Sequence, residues 1–509
     1  MKTTMKSMLA LMAGTMMFAA CSNDDITENV NEQKTSELKP MTFTASMEGE
    51  DGATRAAIDG LDIKWEETDM ISIFDGSEKN NGDQLFTLTA GKGTTSGTFT
   101  GEAAKADTYY ALYPYTESKF KSGEVTPEEA EAILEAEGVP SFLLEEWKMN
   151  YEYHPDDVEW EMSDCSLSEE AKAIILAYLK GEKVETKSGV QRNASDQFEE
   201  VVLPAAQTAT AGSADPKAML MIGTSTDAST LQFKNVCAYV KVTPQFDCTR
   251  IVLKSNGTES LAGTMTVDYN GGAPTTTVTN GAKTVKLSGD IKANNTYYIA
   301  VRPGTLASGF TITFVAADYE YKKSTSKEVT FVRNNVTNLG SFATSNLTIA
   351  EMTGTATREG DIEVNWSQLW AGGPKFAEYN VEGTMSFTDA TKTGADYVWG
   401  ANWRTPSKDE MDELVKAASS SGSDKVTCEY TQVNDVWGFK FTGKGGYSES
   451  SVFLPSGGDG SRADAYYWSS TKEADGIVRY ADLFWNGSKI IFDWYGGEGF
   501  YNVRPVLAE

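Results

Sequence analysis

Short runs in which apolar and polar residues alternate, each closed off by a turn former, constrain this chain more than any other feature. Thr42-Phe43-Thr44-Ala45, Ile71-Ser72-Ile73-Phe74, Leu85-Phe86-Thr87-Leu88 and Tyr109-Tyr110-Ala111-Leu112-Tyr113 are each bounded by Gly, Asp, Asn or Pro. β-Branched and aromatic residues at a period of two put one face of each run in a core and the other in water, as antiparallel sandwich strands require. The texture resumes at Val201 and continues through Ala238-Tyr239-Val240-Lys241-Val242, Thr296 to Val301 and Phe310 to Phe314, ending near Phe342. That length suits two β-sandwiches in tandem, expected over residues 41–228 and 229–345.

Residues 121–200 break the pattern. Thr126-Pro127-Glu128-Glu129 combines an N-cap with proline at the first helical position and glutamate at the third, predicting a helix from Ala130 to Glu137. A second helix is expected over Glu169 to Lys180, capped by Ser168. The segment holds 21 acidic and 7 basic residues, a net −14 within a chain whose net charge is −29. It reads as a helical insertion with a solvated face, or as a recognition surface for a cationic partner.

From Asn346 the composition changes again. Eight of the eleven tryptophans lie beyond it, and glycine doublets multiply. Thr405-Pro406-Ser407, with Glu410 three residues on and Met411, Leu414 and Val415 on one face, predicts an amphipathic helix to Ala418. The rest reads as strand and loop, so residues 346–509 are expected to form a separate α+β domain.

The start of the chain speaks to location. Lys2 and Lys6 precede an uncharged run, Met8 to Ala20, that is too short for a membrane span but suits a signal peptide. It ends in Phe18-Ala19-Ala20-Cys21, small residues before a cysteine, which predicts cleavage before Cys21 and lipid on its thiol. Ser22-Asn23-Asp24-Asp25 resembles the acidic tag that sends Bacteroidales lipoproteins to the outer leaflet, so the expected location is the outer-membrane surface. Residues 1–20 are thus the expected signal and 21–40 a polar tether; removal of the signal would leave 509 − 20 = 489 residues.

Several function classes drop out. The charge repels phosphate backbones, so no nucleic-acid partner is expected. The one histidine, His154, reads as structural, and no nucleophile–base pair, metal cluster or phosphate loop appears, so neither an enzyme nor a cofactor is expected. Cys165, Cys237, Cys248 and Cys428 read as buried free thiols, although four cysteines allow three pairings that sequence cannot separate.

Two resemblances sharpen this. Lys64-Trp65-Glu66-Glu67-Thr68-Asp69-Met70-Ile71-Ser72-Ile73, Tyr109 to Pro114, Leu203-Pro204-Ala205-Ala206-Gln207-Thr208, Phe233 to Ala238 and Tyr298 to Gly304 together resemble the fimbrillins, pilins of Bacteroidales type V pili. The acidic insertion departs from that family. The resemblance implies subunits exported as lipoproteins, trimmed of a first strand by an arginine-directed protease and joined by strand exchange; Arg55-Ala56 is the candidate cut. Gly400 to Ser407, Phe439 to Gly443, Val452-Phe453-Leu454-Pro455, Tyr467 to Thr471 and Val503-Arg504-Pro505-Val506 resemble the C-type-lectin-like domain of Bacteroidetes and Fibrobacter surface proteins. Trp403 and Trp468 in these motifs are expected to be core. The calcium-dependent sugar motifs of animal lectins are absent, and the paired cysteines of the related formylglycine-generating enzymes are not there either, only Cys428.

The expected function is therefore a surface lipoprotein acting as a fimbrial subunit and adhesin, at the tip because the second sandwich runs straight into a globular domain. Its partners would be other fimbrillin subunits, the outer membrane, and a glycan or surface protein. The alternative is a freestanding glycan-binding lipoprotein of a saccharide-uptake system. For the ligand face, Asn486-Gly487-Ser488 predicts a tight hairpin with positive φ at both central positions. This puts Trp485 at its tip, Trp494 and Tyr495 at the mouth of a glycine-rich loop, and Asn486, Asp493 and Glu498 beside them. Trp494 could equally pack beneath that loop as core.

Overall fold

The computed structural model describes residues 38–508 apart from 49–60, 62, 75–83, short stretches between 117 and 196, and 270–271, 420–421, 459–460, 474–476 and 498. Cys21, Arg55, Ala56, Cys165, Glu498, the expected signal and the expected tether up to residue 37 lie outside the described residues, whereas Lys39 and Pro40, expected in the tether, are in a strand. The protein is mainly β, as the alternation predicts.

The first sheet closes on itself. β1 (Lys39–Met47) pairs antiparallel along its length with β2 (Ser96–Ala103) and, on its other side, parallel with β3 (Thr230–Asn235). Met221–Ser225, Tyr109–Tyr113, Met70–Phe74 and Gln84–Ala90 complete a closed barrel. Alternation sends Phe43, Ala45 and Met47 inward while Thr42 and Thr44 stay exposed. Phe43 packs against Phe86 and Tyr109 at 5.5 and 5.3 Å, and buried Trp65 meets Phe99, Tyr113 and Phe233 edge-on. The end of β1 is clamped: Arg333 donates to both Glu48 carboxylate oxygens, at 2.6 and 2.8 Å, and to the Asn235 carbonyl.

The next strands form a six-stranded sheet containing β4 (Cys248–Ser255), β5 (Thr284–Ile291), β6 (Phe310–Val315) and β7 (Glu320–Thr325), with β5 and β6 on either side of β4. Its inward Ile251, Leu253, Leu287, Ile312 and Phe314 share a core with Val240, Ile299 and Phe342 of a three-stranded sheet. That core runs unbroken into the barrel. The expected boundary at residues 228/229 does not separate the two sheet systems. Gln197–Leu203 pairs with Ala262–Asp268 and Ala206–Thr208 with β5, whereas the later β3 returns to the barrel. Periodicity names strands; it cannot name their partners, and here the chain crosses over and back.

The insertion is carried on an antiparallel hairpin, Lys119–Glu124 with Lys183–Ser188. The helix Glu169–Lys180 has the predicted bounds, Ala130, Glu131 and Leu134 are helical, and Phe142–Tyr151 is a helix that the sequence reading did not anticipate. Leu134, Leu144, Trp147 and Ile175 give the segment a small core of its own. Cys237 and Cys248 are buried free thiols, pushed up to about 12 by burial; Cys428 is free and half-buried.

Beyond Thr353 lie a five-stranded sheet, a three-stranded sheet and a sheet of β-strands around residues 457–496. The predicted capping box is present on α1 (Lys408–Ala418): Ser407 Oγ accepts from Glu410 N, and a Glu410 carboxylate oxygen accepts from Ser407 N. Arg404 braces Glu410 with two hydrogen bonds of 2.7 and 2.5 Å. Trp403 and Trp468 are fully buried, their indoles donating to the Thr357 and Met385 carbonyls. This region docks on the six-stranded sheet through Glu320, whose Oε1 accepts from Gln368 Nε2 and Gly372 N.

Candidate functional site

The predicted ligand residues sit around two hairpins. β8 (Val426–Val433) and β9 (Val436–Gly443) are joined by Asn434-Asp435, both at positive φ, the two-residue turn whose twist matches its strands. β10 (Ala463–Lys472), β11 (Val478–Trp485) and β12 (Ile490–Gly496) form an antiparallel sheet. The turn after Trp485 is not the tight one expected. Gly487 alone has positive φ, Trp485 pairs with Ile490, and four residues make the bend. The Asn486 side chain holds it by accepting from the Ser488 and Lys489 amides, a local bond that stabilises a wider turn without left-handed asparagine.

Period two divides the predicted residues between opposite faces of this sheet. Ala481, Leu483 and Phe492 point to the core beneath α1, with Met411 and Leu414. Trp494 is on that side, its indole donating to Asp412 Oδ1 at 3.1 Å. Trp485 is half-buried in a three-ring stack: Tyr430 lies 5.2 Å from Trp485 and 5.3 Å from Trp437, nearly parallel to both. Trp485 is not the unencumbered tip residue expected, because the hairpin folds onto its neighbours rather than projecting; Trp494 takes the packed one of its two expected placements.

Asp493 and Tyr495 occupy the outer face, and residues the sequence reading missed join them there. Register places Tyr466, Asp482 and Asp493 in one row across the three strands, with Trp468, Tyr480 and Tyr495 in the next. Tyr480 stacks on Tyr495 at 6.2 Å and meets Tyr501 at 4.2 Å; Tyr466 lies 5.7 Å from Tyr501. Tyr466 and Tyr495 are exposed. Burial, then the charges of Asp464 and Asp493, raise the Asp482 carboxyl above the usual range, and its Oδ1 is buried without a hydrogen-bond partner. Aligning Asp464/Tyr466, Tyr480/Asp482 and Asp493/Tyr495 as alternate positions of three paired strands would have exposed this face. The register needed for that is not local information.

A cleft of about 760 Å³ opens elsewhere in the same region, lined by Asn365, Trp366, Glu378, Tyr379 and Asn434. Its floor is Arg504, fully buried, which donates to Asn380 Oδ1 and to the Ala377, Glu378 and Phe453 carbonyls. Burial pulls Arg504 down to about 10. The terminal Val-Arg-Pro-Val motif is thus scaffold. Among the described residues no group of His, Cys, Asp or Glu is placed to hold a metal ion.

No protein-family profile matches the chain, and no curated protein matches it. Among solved structures, it is similar to a candidate cell adhesion protein of Bacteroides uniformis, with 13% identity and a TM-score of 0.32 over 61% of this chain and 95% of that one. A candidate cell adhesion protein of Bacteroides ovatus gives 9% identity and a TM-score of 0.31 over 62% and 96%. A fimbrial protein of Bacteroides ovatus gives 11% and 0.18 over 92% and 98%.

Proposed function

We propose that the chain is a surface-attached fimbrial subunit, lipidated at Cys21 on export and assembled at a pilus tip by strand exchange, whose C-terminal region makes the adhesive contact. The observation that carries this reading is the seat of β1. It is paired on both sides, and it fills the barrel with Phe43, Ala45 and Met47. A cut at Arg55-Ala56, downstream of β1, would sever that strand from the body that it seals. Its departure would leave unpaired N–H and C=O groups on β2 and β3 above an apolar groove. A neighbour's strand of the same alternation satisfies both.

The adhesive surface in this reading is the outer face of β10 to β12, where Asp493 and Tyr495 join Tyr466, Tyr480 and Asp482. Rings beside carboxylates suit stacking on a sugar or anchoring a protein contact. The N-terminal sequence of the protein taken from cells tests the assembly step. The pilus-associated form should begin at Ala56, and Arg55→Ala should accumulate unassembled with its lipid. Pilus-associated protein that still begins at Cys21 would overturn strand exchange for this subunit and favour the freestanding lipoprotein.

A further inference from the structure

One surface runs against the charge of the whole chain. On the outward side of the six-stranded sheet, Arg250 and Lys254 alternate along β4, and Lys322 stands on β7. Register sets Thr284 and Thr311 on either side of Lys254, and Thr313 between Val252 and Lys322. Lys283 adjoins from the start of β5, and Lys375 reaches in from the C-terminal region. Together they line two adjoining clefts of about 130 and 540 Å³ that share Lys254, Thr311, Thr313, Glu320 and Lys375.

The cations outnumber the acids beside them: the charges of Lys322 and Lys375 both lower the Glu351 carboxyl, and that of Lys283 lowers Glu259. No carboxylate pairs with Arg250, Lys254 or Lys283 among the described residues, and Lys375 lies over the Trp366 ring at 4.8 Å. Lys322 does pair, with Glu351. Glu320 spends one carboxylate oxygen on the junction with Gln368 and Gly372. Five cations line the two clefts against Glu320 and Glu351, so positive charge remains in excess, and an anion seated between them lowers the repulsion that is left.

We infer that this cleft binds the carboxylate of a short acidic saccharide, a sugar acid at the end of a glycan chain. Arg250 offers a planar fork that fits a carboxylate, the lysines add point charges, and the threonine hydroxyls match sugar hydroxyls. The size suits one or two sugar rings. A net charge of −29 repels a long polyanion whose charges extend beyond the cleft, whereas a single anion within a Debye length of these side chains responds to them first. Nucleic acid is disfavoured on the same ground. The site is separate from the tyrosine–aspartate face and does not depend on strand exchange.

The test is calorimetric titration of the purified full-length mature chain. The probes are a glucuronic acid-ended disaccharide, the matched glucose-ended disaccharide, and acetate. The acidic disaccharide should bind about tenfold more tightly than the neutral one, and less tightly as salt rises. Lys254→Ala combined with Lys375→Ala should weaken it by about tenfold, with the melting temperature moved only by the loss of the Lys375–Trp366 contact. Lys254→Glu, a charge reversal at an exposed position, should weaken it at least as much. Equal binding of the two disaccharides, no binding of either, or an unchanged affinity in the variants would overturn the site. Acetate binding as tightly as the sugar acid would overturn the saccharide. Neither result bears on where the pilus-associated chain begins.

Discussion

The barrel and the C-terminal region are each completed by a segment distant in sequence from its partners, and the two segments are held by different physics. β1 is held by eight residue pairs to β2, four to β3, and inward side chains at every second position. Any strand with apolar residues at that spacing could make the same contacts, because backbone pairing does not distinguish sequences. The segment around Arg504 makes few ladder bonds. Val506 pairs with Phe376 and Arg404, and Leu507 with Trp403, but the arginine itself is tied to four particular oxygens. A replacement would need a guanidinium at one place. In the proposed assembly the barrel would therefore be the exchangeable part of the molecule, and the C-terminal region the fixed part.

Removing β1 should have the largest effect. Phe43 and Met47 each contribute about 1.5–3 kcal/mol by burial, and the ladder on both sides goes with them. A chain starting at Ala56 should bind a hydrophobic dye, and adding a peptide of Lys39–Met47 sequence should abolish the dye signal. A peptide with Phe43, Ala45 and Met47 moved one position along should fail, since the slip turns them to the solvent face. Rescue by both peptides would break the comparison. Arg504→Met comes next, at about 3–5 kcal/mol, because three carbonyls and Asn380 lose their donor in a buried place. Urea unfolding followed by tryptophan fluorescence should show that loss in the C-terminal region, which holds eight of the eleven tryptophans. No added peptide should rescue it.

Much of this was legible beforehand, and the exceptions share a cause. The runs at 42–45, 71–74, 109–113, 238–242 and 310–314 all lie within strands, because a half-buried strand writes its period into the chain. Ser407 and Glu410 gave the α1 cap, since both partners sit within four residues. Trp403 and Trp468 were recognisable as core by the motifs around them. What sequence did not show was long-range: the parallel pairing of β1 with β3, the return of β3 to the barrel, and the row joining Asp482 to Asp493. The packing of Trp485 and the choice between the two placements open to Trp494 were not legible for the same reason. Their partners Tyr430 and Asp412 lie 55 and 82 residues away.

The clamp at the end of β1 sharpens the comparison at a smaller scale. Burial opposes the Glu48 charge, yet the two hydrogen bonds and the charge of Arg333 outweigh it and hold the carboxyl below its usual range. A depressed carboxyl stabilises the fold above its unfolded value of about 4.3, and that contribution disappears as pH falls through the lower folded value. Arg333→Ala should cost about 1–2 kcal/mol at neutral pH. It should also flatten the loss of barrel stability below about pH 4.3, measured by urea melts across pH. An unchanged acid profile would mean that Glu48 does not hold β1.

The smallest stability effect should come from the outer face of β10 to β12, and there the contrast with the inner face is the point. Tyr495 is exposed and touches Tyr480 alone among the described ring contacts, so Tyr495→Ala should change stability by no more than about 0.5 kcal/mol. Trp494, one residue earlier, packs against the core beneath α1 and donates to Asp412, so Trp494→Ala should cost about 2–4 kcal/mol. Adhesion should respond in the opposite order. If the tyrosine–aspartate face is the contact surface, Tyr495→Ala combined with Tyr466→Ala should weaken attachment at an unchanged melting temperature. Trp494→Ala should leave attachment intact for whatever fraction stays folded. Loss of attachment in Trp494→Ala at full folding, with Tyr495→Ala silent, would move the adhesive surface to the α1 side of the sheet.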